Sequence, residues 1–196
     1  MVGIVRQSVR QYLINKRKAL APETITTLSH RICKNLSRQD VYRHAKHIAL
    51  YHPSNGEVSL DGIWRAAPMH GRYCYFPVCV GEHLCFTPAT PATPFVKNKY
   101  GIPEPDVPFE DAIEPEELDL ILMPLVAFDP FGVRIGMGKG FYDKTLSNIS
   151  QQKHKPTVLG VAYQFQMQPY LSKQPWDVLL HGTVTESEVY WTNLSH

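Results

Sequence analysis

The chain has 196 residues and a formal net charge of +2, and apolar residues make up 43% of it, as in ordinary globular proteins. The length fits one compact domain spanning 1–196, and the small charge argues against a nucleic-acid binder. No window holds the roughly 18 apolar residues that a membrane helix needs, so we expect no membrane association.

Cysteine usage points to a reducing compartment. Cys33, Cys74, Cys79 and Cys85 contain no CxxC pair, and their spacing matches no zinc or redox motif. Residues 1–18 carry charges throughout and lack the apolar core of a signal peptide. We therefore expect reduced thiols in a cytoplasmic protein.

Two amphipathic helices are predicted first. In the first, Val5, Val9, Tyr12, Leu13 and Leu20 recur near a 3.6-residue period. Arg6 and Arg10 lie one turn apart, so their side chains project from the same edge of this helix. The second helix is expected from Pro22, which suits a first helical turn, to about Leu36.

Strands and a helix are predicted to alternate through the next segments. We expect a buried strand at 47–51, a helix capped by Ser59 and running through Met69, a strand at Tyr73–Val80 broken by Pro77, and a short strand at 84–87. Residues 88–115 hold seven prolines and few periodic apolar residues. This segment is predicted to be a long irregular excursion, which in a compact domain is more often functional than idle.

The strongest strand candidate is 118–125, whose near-continuous apolar character is typical of a central strand covered on both faces. Another buried strand is expected at 157–163, with short pieces at 178–180 and 183–185. The alternation of helices and strands predicts an α/β fold, with a mostly parallel central sheet in three layers.

A glycine-rich segment follows the central strand. Gly136, Gly138 and Gly140 remove side chains at alternate positions, which permits positive φ and close approach of backbone to a ligand. Their N–H groups and the start of the next helix favour an anion, and Arg134 and Lys139 add positive charge. The spacing matches neither a Walker A nor a dinucleotide fingerprint. A phosphate cradle and a purely structural turn therefore both remain open.

Asp143 stands where this loop becomes a helix. An acidic residue there is favoured by the helix dipole alone. A carboxylate beside phosphates is equally suited to magnesium. The residues by themselves do not decide between these interpretations.

The stretch MPLVAFDPFGVRIGMGKGFYDKTL resembles the signature of the 5-formyltetrahydrofolate cyclo-ligase family. Further likeness lies in the Arg6-x-x-x-Arg10 pair, in HIALYHPSNGEV with Glu57, in residues 100–105, in TVLGVAYQFQ and in Trp176-Asp177. The resemblance covers nearly the whole chain in the family's order. It implies a Rossmann-like three-layer α/β domain.

The resemblance also implies a reaction. ATP phosphorylates the formyl oxygen of 5-formyltetrahydrofolate, N10 attacks the activated carbon, and 5,10-methenyltetrahydrofolate, ADP and phosphate are formed. Magnesium is the expected cofactor and ATP the co-substrate. No nucleophilic side chain is needed, because the substrate's own nitrogen attacks. A monomer with no macromolecular partner is expected.

The family pattern assigns roles residue by residue. Arg134 and Lys139 are the expected catalytic residues, and Asp143 and Asp177 the expected magnesium ligands. The expected ATP contacts are Arg6, Arg10, Arg134, Ile135, Gly136, Met137, Gly138, Lys139, Gly140, Phe141 and Tyr142. The expected folate contacts are His52, Glu57, Met137, Gly138, Lys139, Gly140 and Phe141. Arg134→Ala is expected to abolish turnover and to leave the fold intact.

Two other functions compete with this one. The first is a homologue that binds folate or nucleotide without turnover, against which the retained Arg134, Lys139, Asp143 and Asp177 argue. The second is an enzyme like a phosphosugar isomerase, which would act without ATP or magnesium. That enzyme would need a positioned acid or base near the loop, and the sequence shows no candidate.

Overall fold

The computed structural model describes residues 2–99 and 101–193. Its helices are α1 (Val2–Lys18), α2 (Pro22–Ser37), α3 (Asp40–His44), α4 (Asp61–Ala66) and α5 (Phe141–Leu146). Its strands are β1 (His47–Ala49), β2 (Tyr73–Val80), β3 (His83–Pro88), β4 (Phe95–Lys97), β5 (Pro103–Pro105), β6 (Leu120–Pro124), β7 (Ala127–Phe128), β8 (Arg134–Ile135), β9 (Thr157–Val161), β10 (Gly182–Val184) and β11 (Val189–Trp191). Residue 100, part of the family-like segment 100–105, lies outside the described residues.

A seven-stranded sheet organises the chain, in the order β11-β10-β9-β6-β1-β2-β3. The pairs within β10-β9-β6-β1-β2 are parallel, and only the outermost pairs, β2 with β3 and β10 with β11, are antiparallel. The mostly parallel α/β architecture predicted from the sequence is confirmed. In such a sheet the carboxyl ends of neighbouring strands share one edge, which is where ligands usually bind.

Side chains of the central strands alternate between two apolar layers. Leu120 and Leu122 of β6 join one core cluster with residues of α2 and α4, such as Ile32 and Ile63. Ile121 of β6 points to the opposite face, into a second cluster that contains Leu146 of α5. Both faces are therefore covered, which confirms the three layers and the doubly buried central strand.

The first helix packs beside the hairpin of β7 and β8. Leu13 and Ile14 of α1 belong to a third apolar cluster, together with Val126, Val133 and Ile135. The predicted helices at the start of the chain are both present, and Pro22 occupies the first turn of α2 as expected. Docking of α1 on this hairpin brings its basic edge next to the glycine-rich segment.

Two local predictions were wrong. Leu60, not Ser59, occupies the cap position of α4, although the Ser59 hydroxyl accepts a hydrogen bond from the Asp61 N–H at 3.3 Å. This helix ends at Ala66 and is followed by a 3-10 turn at Pro68–His70, because a proline inside a helix removes a donor and clashes with the preceding turn.

Pro77 does not break β2, contrary to prediction. It pairs with Phe86 of β3, and the N–H and carbonyl of Phe86 bond instead to Ile113. Pro77 thus sits where the ladder requires no N–H from β2, a position in which proline is tolerated.

The segment 88–115 is more ordered than predicted. It contains the hairpin of β4 and β5, a 3-10 turn at Phe109–Asp111 and the bridge from Ile113 to Phe86. The Glu104 carboxylate ties the hairpin to β2 by accepting a hydrogen bond from the Cys79 N–H at 2.9 Å. The sequence did not predict this pairing, because β5 has a proline at each end.

The remaining differences lie near short elements. No strand forms at 178–180, whereas 183–185 overlaps β10 and 157–163 begins with β9. The helix α3, the hairpin of β7 and β8, and the edge strand β11 were not predicted, since each is only two to five residues long. Among the described residues, no helix is long and apolar enough to cross a membrane. The four cysteines are all free thiols.

Candidate active site

Loops after β1 and β6 meet at the carboxyl edge of the sheet. The first loop contains Glu57, and the second leads through Leu125 into the hairpin that carries the glycine-rich segment. In the middle of the first loop, Asn55 and Gly56 have φ of 49° and 73°, as in a type I′ turn. The Glu57 N–H closes the turn by donating to the Ser54 carbonyl at 2.9 Å, and the Ser54 N–H donates in return to Glu57 Oε2 at 2.9 Å. The sequence SNGE therefore fixes the carboxylate locally.

Arg17 and Glu57 form a buried ion pair at this edge. Arg17 is 1% exposed and Glu57 is 7% exposed. Arg17 Nη2 lies 3.3 Å from Glu57 Oε1 and 3.9 Å from the sulfur of Met137. Its Nε donates to the Asn55 carbonyl at 3.0 Å, and its Nη1 donates to the Leu125 carbonyl at 3.0 Å. One guanidinium therefore joins both loops and the glycine-rich segment.

Burial dominates the ionisation of Glu57. Desolvation raises the pKa of its carboxyl above the ordinary value, and Arg17 and the Ser54 hydrogen bonds oppose that rise. Burial likewise raises the pKa of Tyr142, and the nearby Glu57 charge raises it further. Tyr142, in the first turn of α5, therefore lies close enough to Glu57 for the two side chains to interact electrostatically.

The basic edge of α1 reaches the glycine-rich segment. Arg10 Nε donates to the Gly136 carbonyl at 2.9 Å. Arg6 Nη2 donates to the Arg134 carbonyl at 3.2 Å, and Arg6 Nη1 contacts Asp177 Oδ2 at 2.9 Å and the Ser172 carbonyl at 2.7 Å. Partial burial and the neighbouring Arg6 charge lower the pKa of Arg10. Two cations are therefore held close together, which favours an anion beside them.

Arg134 is buried and bonded within the protein. Its Nη2 lies 2.7 Å from Asp143 Oδ1, and its Nη1 donates to the Val178 carbonyl. Asp143 Oδ1 also accepts the Val178 N–H at 3.1 Å. This ion pair thus occupies both backbone groups of Val178, so Val178 does not pair as part of a strand.

The glycine-rich segment itself is open to solvent. Gly138 and Gly140 have φ of 100° and 71°, in the region that favours glycine. A Cβ added at Gly136 or Gly140 would have no neighbour within 4 Å, so the missing side chains leave room beside the backbone. Lys139 is exposed, and Gly140 occupies the cap position of α5. Backbone N–H groups with open space before them suit a phosphate.

The other predicted ligand contacts flank this segment. The side chain of Ile135 is fully buried against α1, so only its backbone can meet a ligand. Phe141 and Tyr142 are partly buried against the core cluster that contains Leu146. His52 is exposed and its ring lies 5.9 Å from Phe95 of the β4–β5 hairpin, outside the ion pairs described above.

The two predicted magnesium ligands are neighbours. Asp143 accepts the N–H of the peptide that directly follows Asp177, and each carboxylate is also paired with an arginine. Within the part of the chain that the structure describes, no group of three or more His, Cys, Asp or Glu side chains forms a metal cage. Magnesium is commonly held by one or two carboxylates together with substrate phosphates, so this pair fits a metal delivered with a nucleotide.

Arg17 was missed by the sequence reasoning, although a signal was present. It lies four residues after Leu13, and so falls on the apolar face of α1. A charged residue on such a face is almost never buried unless it is paired. The position alone therefore indicated a partner in the core.

Comparison with known proteins extends this picture. A model of the 5-formyltetrahydrofolate cyclo-ligase family matches residues 3–186. The 5-formyltetrahydrofolate cyclo-ligase of Haemophilus influenzae is 40% identical over 141 residues, which cover 70% of this chain and 74% of the relative. The enzyme of the same name from Escherichia coli K12 is 32% identical over 182 residues, 89% of this chain and 97% of the relative. A solved structure of Aquifex aeolicus 5,10-methenyltetrahydrofolate synthetase superposes with a TM-score of 0.83 at 30% identity, covering 98% of this chain and 95% of that one.

Proposed function

Because the chain belongs to the 5-formyltetrahydrofolate cyclo-ligase family, whose members are ATP-dependent ligases of folate one-carbon metabolism, we propose that it closes the ring of 5-formyltetrahydrofolate. ATP and magnesium are required, and the products are 5,10-methenyltetrahydrofolate, ADP and phosphate. Turnover takes place in the cytoplasm, in keeping with the four free thiols.

One observation supports this proposal above the others. Two arginines of α1 contact the segment 136–140: Arg10 at the Gly136 carbonyl, and Arg17 at the Met137 sulfur. Arg10 belongs to the expected nucleotide site, and Arg17 pairs with the expected folate contact Glu57. A single loop thus adjoins both regions, as transfer of a phosphoryl group between two substrates demands.

Positioning and charge account for the first chemical step. Phosphoryl transfer needs little covalent help from the protein, so aligned charges and N–H donors carry most of the catalysis. In our proposal the formyl oxygen attacks the γ-phosphorus of ATP, the bond to the β-phosphate oxygen breaks, and ADP leaves. Lys139 and the 136–140 backbone stabilise the charge on the transferred group. Glu57 accepts hydrogen bonds from donors on the pterin ring.

Ring closure completes the reaction. N10 of the folate attacks the activated formyl carbon, its proton is released, and phosphate departs with the former formyl oxygen. The protein supplies no nucleophile in this step and holds N10 against the carbon while water is excluded. Asp143 and Asp177 would hold magnesium together with the nucleotide, and the ion would neutralise negative charge on the phosphates.

Arg134 is held by contacts within the protein at the start of α5. Its guanidinium is bonded to Asp143 and to the Val178 carbonyl, which orients the carboxylate at the start of α5. We propose that it acts on the phosphates through Asp143 and through the shape of the loop, and that Lys139 makes the direct charge contact.

The first experiment is a near-UV absorbance assay for methenyltetrahydrofolate. Purified protein is mixed with (6S)-5-formyltetrahydrofolate, ATP and magnesium, and each of the last two is omitted in turn. Product that forms only in the complete mixture supports the proposal. If folded protein forms no product, calorimetry with folate and with ATP separately distinguishes a binding-only homologue from a protein with another substrate.

A further inference from the structure

Arg17 pairs with Glu57, the expected folate contact, yet its own side chain is too deeply buried to touch a ligand. Its four contacts reach the two loops at the sheet edge and the glycine-rich segment, and the partners lie up to 120 residues from Arg17 in sequence. Removing a guanidinium from water costs free energy. That cost is recovered only when most of the N–H donors are hydrogen-bonded in good geometry. These contacts meet that condition for an ion pair at the wall of a binding site.

Within residues 2–99 and 101–193, Arg17 is the one cation that forms an ion pair with Glu57. Ser54 provides hydrogen bonds, while Tyr51, Tyr142 and Tyr163 face the carboxylate with neutral phenols at neutral pH. Among the described residues, Arg17 is the cation whose charge opposes the effect of burial on the pKa of Glu57. Without it, a carboxylate at this depth would be protonated more readily.

We propose that Arg17 is a positioning residue for folate recognition. It keeps Glu57 ionised, and its contacts with Asn55 and Met137 fix the carboxylate in the orientation that binds the pterin ring. This inference rests on the proposed function, in which Glu57 contacts folate. Arg17 itself does not touch the substrate. Its effect should therefore appear in folate affinity and in the pH dependence of that affinity, more than in the KM for ATP.

The alternative is an ion pair that only stabilises the fold. In that case, loss of Arg17 would lower the melting temperature, and the surviving folded protein would bind folate normally at every pH. The two explanations thus differ in a property of the folded molecule, which direct binding measurements can report.

Two variants and a control separate them. Arg17→Met removes the charge and keeps the length, whereas Arg17→Lys keeps the charge and loses the forked geometry. Lys18→Met removes a charge from the exposed neighbouring position of α1 and serves as the matched control. The dissociation constant for 5-formyltetrahydrofolate is measured by calorimetry without ATP across a pH series, and KM for ATP and kcat are measured in the absorbance assay.

We expect Arg17→Met to weaken folate binding by at least about tenfold near neutral pH, the factor that corresponds to about 1.4 kcal/mol. The acid limb of binding should move to higher pH, while KM for ATP changes by less than about threefold. Arg17→Lys should restore the acid limb towards its wild-type position but bind folate less tightly than wild type. Lys18→Met should match wild type throughout.

A double-mutant cycle with Glu57→Gln gives the sharpest test. If Arg17 acts through Glu57, Arg17→Met should cost little folate affinity in the Glu57→Gln background, where no charge remains to be held. Additive losses, or wild-type folate binding by folded Arg17→Met, would overturn the proposal. If Arg17→Met does not fold, wild-type affinity in Arg17→Lys would overturn it instead. Absence of turnover in the wild-type protein would count against the proposed function alone.

Discussion

Truncation of Arg134 tests whether the site and the local fold depend on the same ion pair. Arg134→Ala leaves the Asp143 carboxylate without its partner and removes a donor from the Val178 carbonyl. The two side chains are 5% and 24% exposed. Breaking a fully buried pair costs about 3–5 kcal/mol, and partial solvation of Asp143 reduces this to about 2–3 kcal/mol. For a chain of this size the melting temperature should fall by roughly 5–10 °C.

Thermal unfolding followed by circular dichroism measures that loss, and the absorbance assay reports turnover below the transition. Turnover should fall by at least about a hundredfold, because Asp143 and the loop lose their orientation. The matched control is Arg65→Ala. Arg65 and Asp61 form a pair of the same 2.7 Å separation, but their side chains are 67% and 49% exposed. Its loss should cost no more than about 0.5 kcal/mol.

The reasoning fails if Arg134→Ala melts within about 1 °C of wild type, since that would mean the buried pair contributes no more than a surface one. The addition of Asp143→Asn should recover part of the lost stability, because it removes the uncompensated charge. The sequence alone predicted an intact fold for Arg134→Ala, whereas the structure predicts a less stable one.

Three further results are expected. Gly160→Ala places a Cβ 2.5 Å from Leu125 Cδ2, so the free energy of unfolding should fall by about 1–3 kcal/mol. The control is Gly62→Ala, whose Cβ would meet Cys33 only at 3.9 Å. In the same melting experiment it should lower that free energy by no more than about 0.5 kcal/mol. Because burial raises the pKa of Glu57, folate affinity should be lost as pH falls through that raised value, and calorimetry showing constant affinity down to an ordinary glutamate pKa of about 4.3 would contradict this. The raised pKa means that Glu57 binds its proton more tightly in the folded state than in the unfolded state. The contribution of this proton to the free energy of unfolding should therefore be lost as pH rises through the same value. Lys139→Ala should leave the melting temperature unchanged, because Lys139 is exposed, and reduce turnover at least about a hundredfold; unaltered turnover would remove Lys139 from the mechanism.

Long periodic segments were the predictable part of the fold. The helix α2 and the central strand β6 each bury a continuous stripe or run, and that pattern is visible directly in the sequence. The helix α1 was predicted correctly, but of its expected stripe only Leu13 is fully buried, whereas Val5 and Tyr12 are exposed. The pairs β4–β5 and β7–β8 are stabilised by contacts between residues distant in sequence, as when Glu104 bonds the Cys79 N–H. Local propensity carries no information on such contacts, so these hairpins were not predicted.

The candidate site was likewise predicted only in part. The family resemblance implied ATP contacts for Arg6 and Arg10 and for the glycine-rich segment, and the structure brings Arg10 against the Gly136 carbonyl. The sequence did not reveal that Arg134 and Asp143 bond each other. Residue identity specifies which charges exist, but burial and mutual distance decide which of them can reach a ligand. The ligand assignments themselves stay predictions.

The arginines of α1 have a consequence for how the site is assembled during synthesis. Arg6 bonds residues 128, 166 and 171 positions away, Arg10 bonds one 126 positions away, and Arg17 bonds Leu125 at a separation of 108. A ribosome thus produces this helix long before it produces the partners of these side chains. Contacts of such high sequence separation form late and slowly. A nascent chain that ends near residue 120 already contains Glu57 and all three arginines, but it lacks the glycine-rich segment that would arrange them.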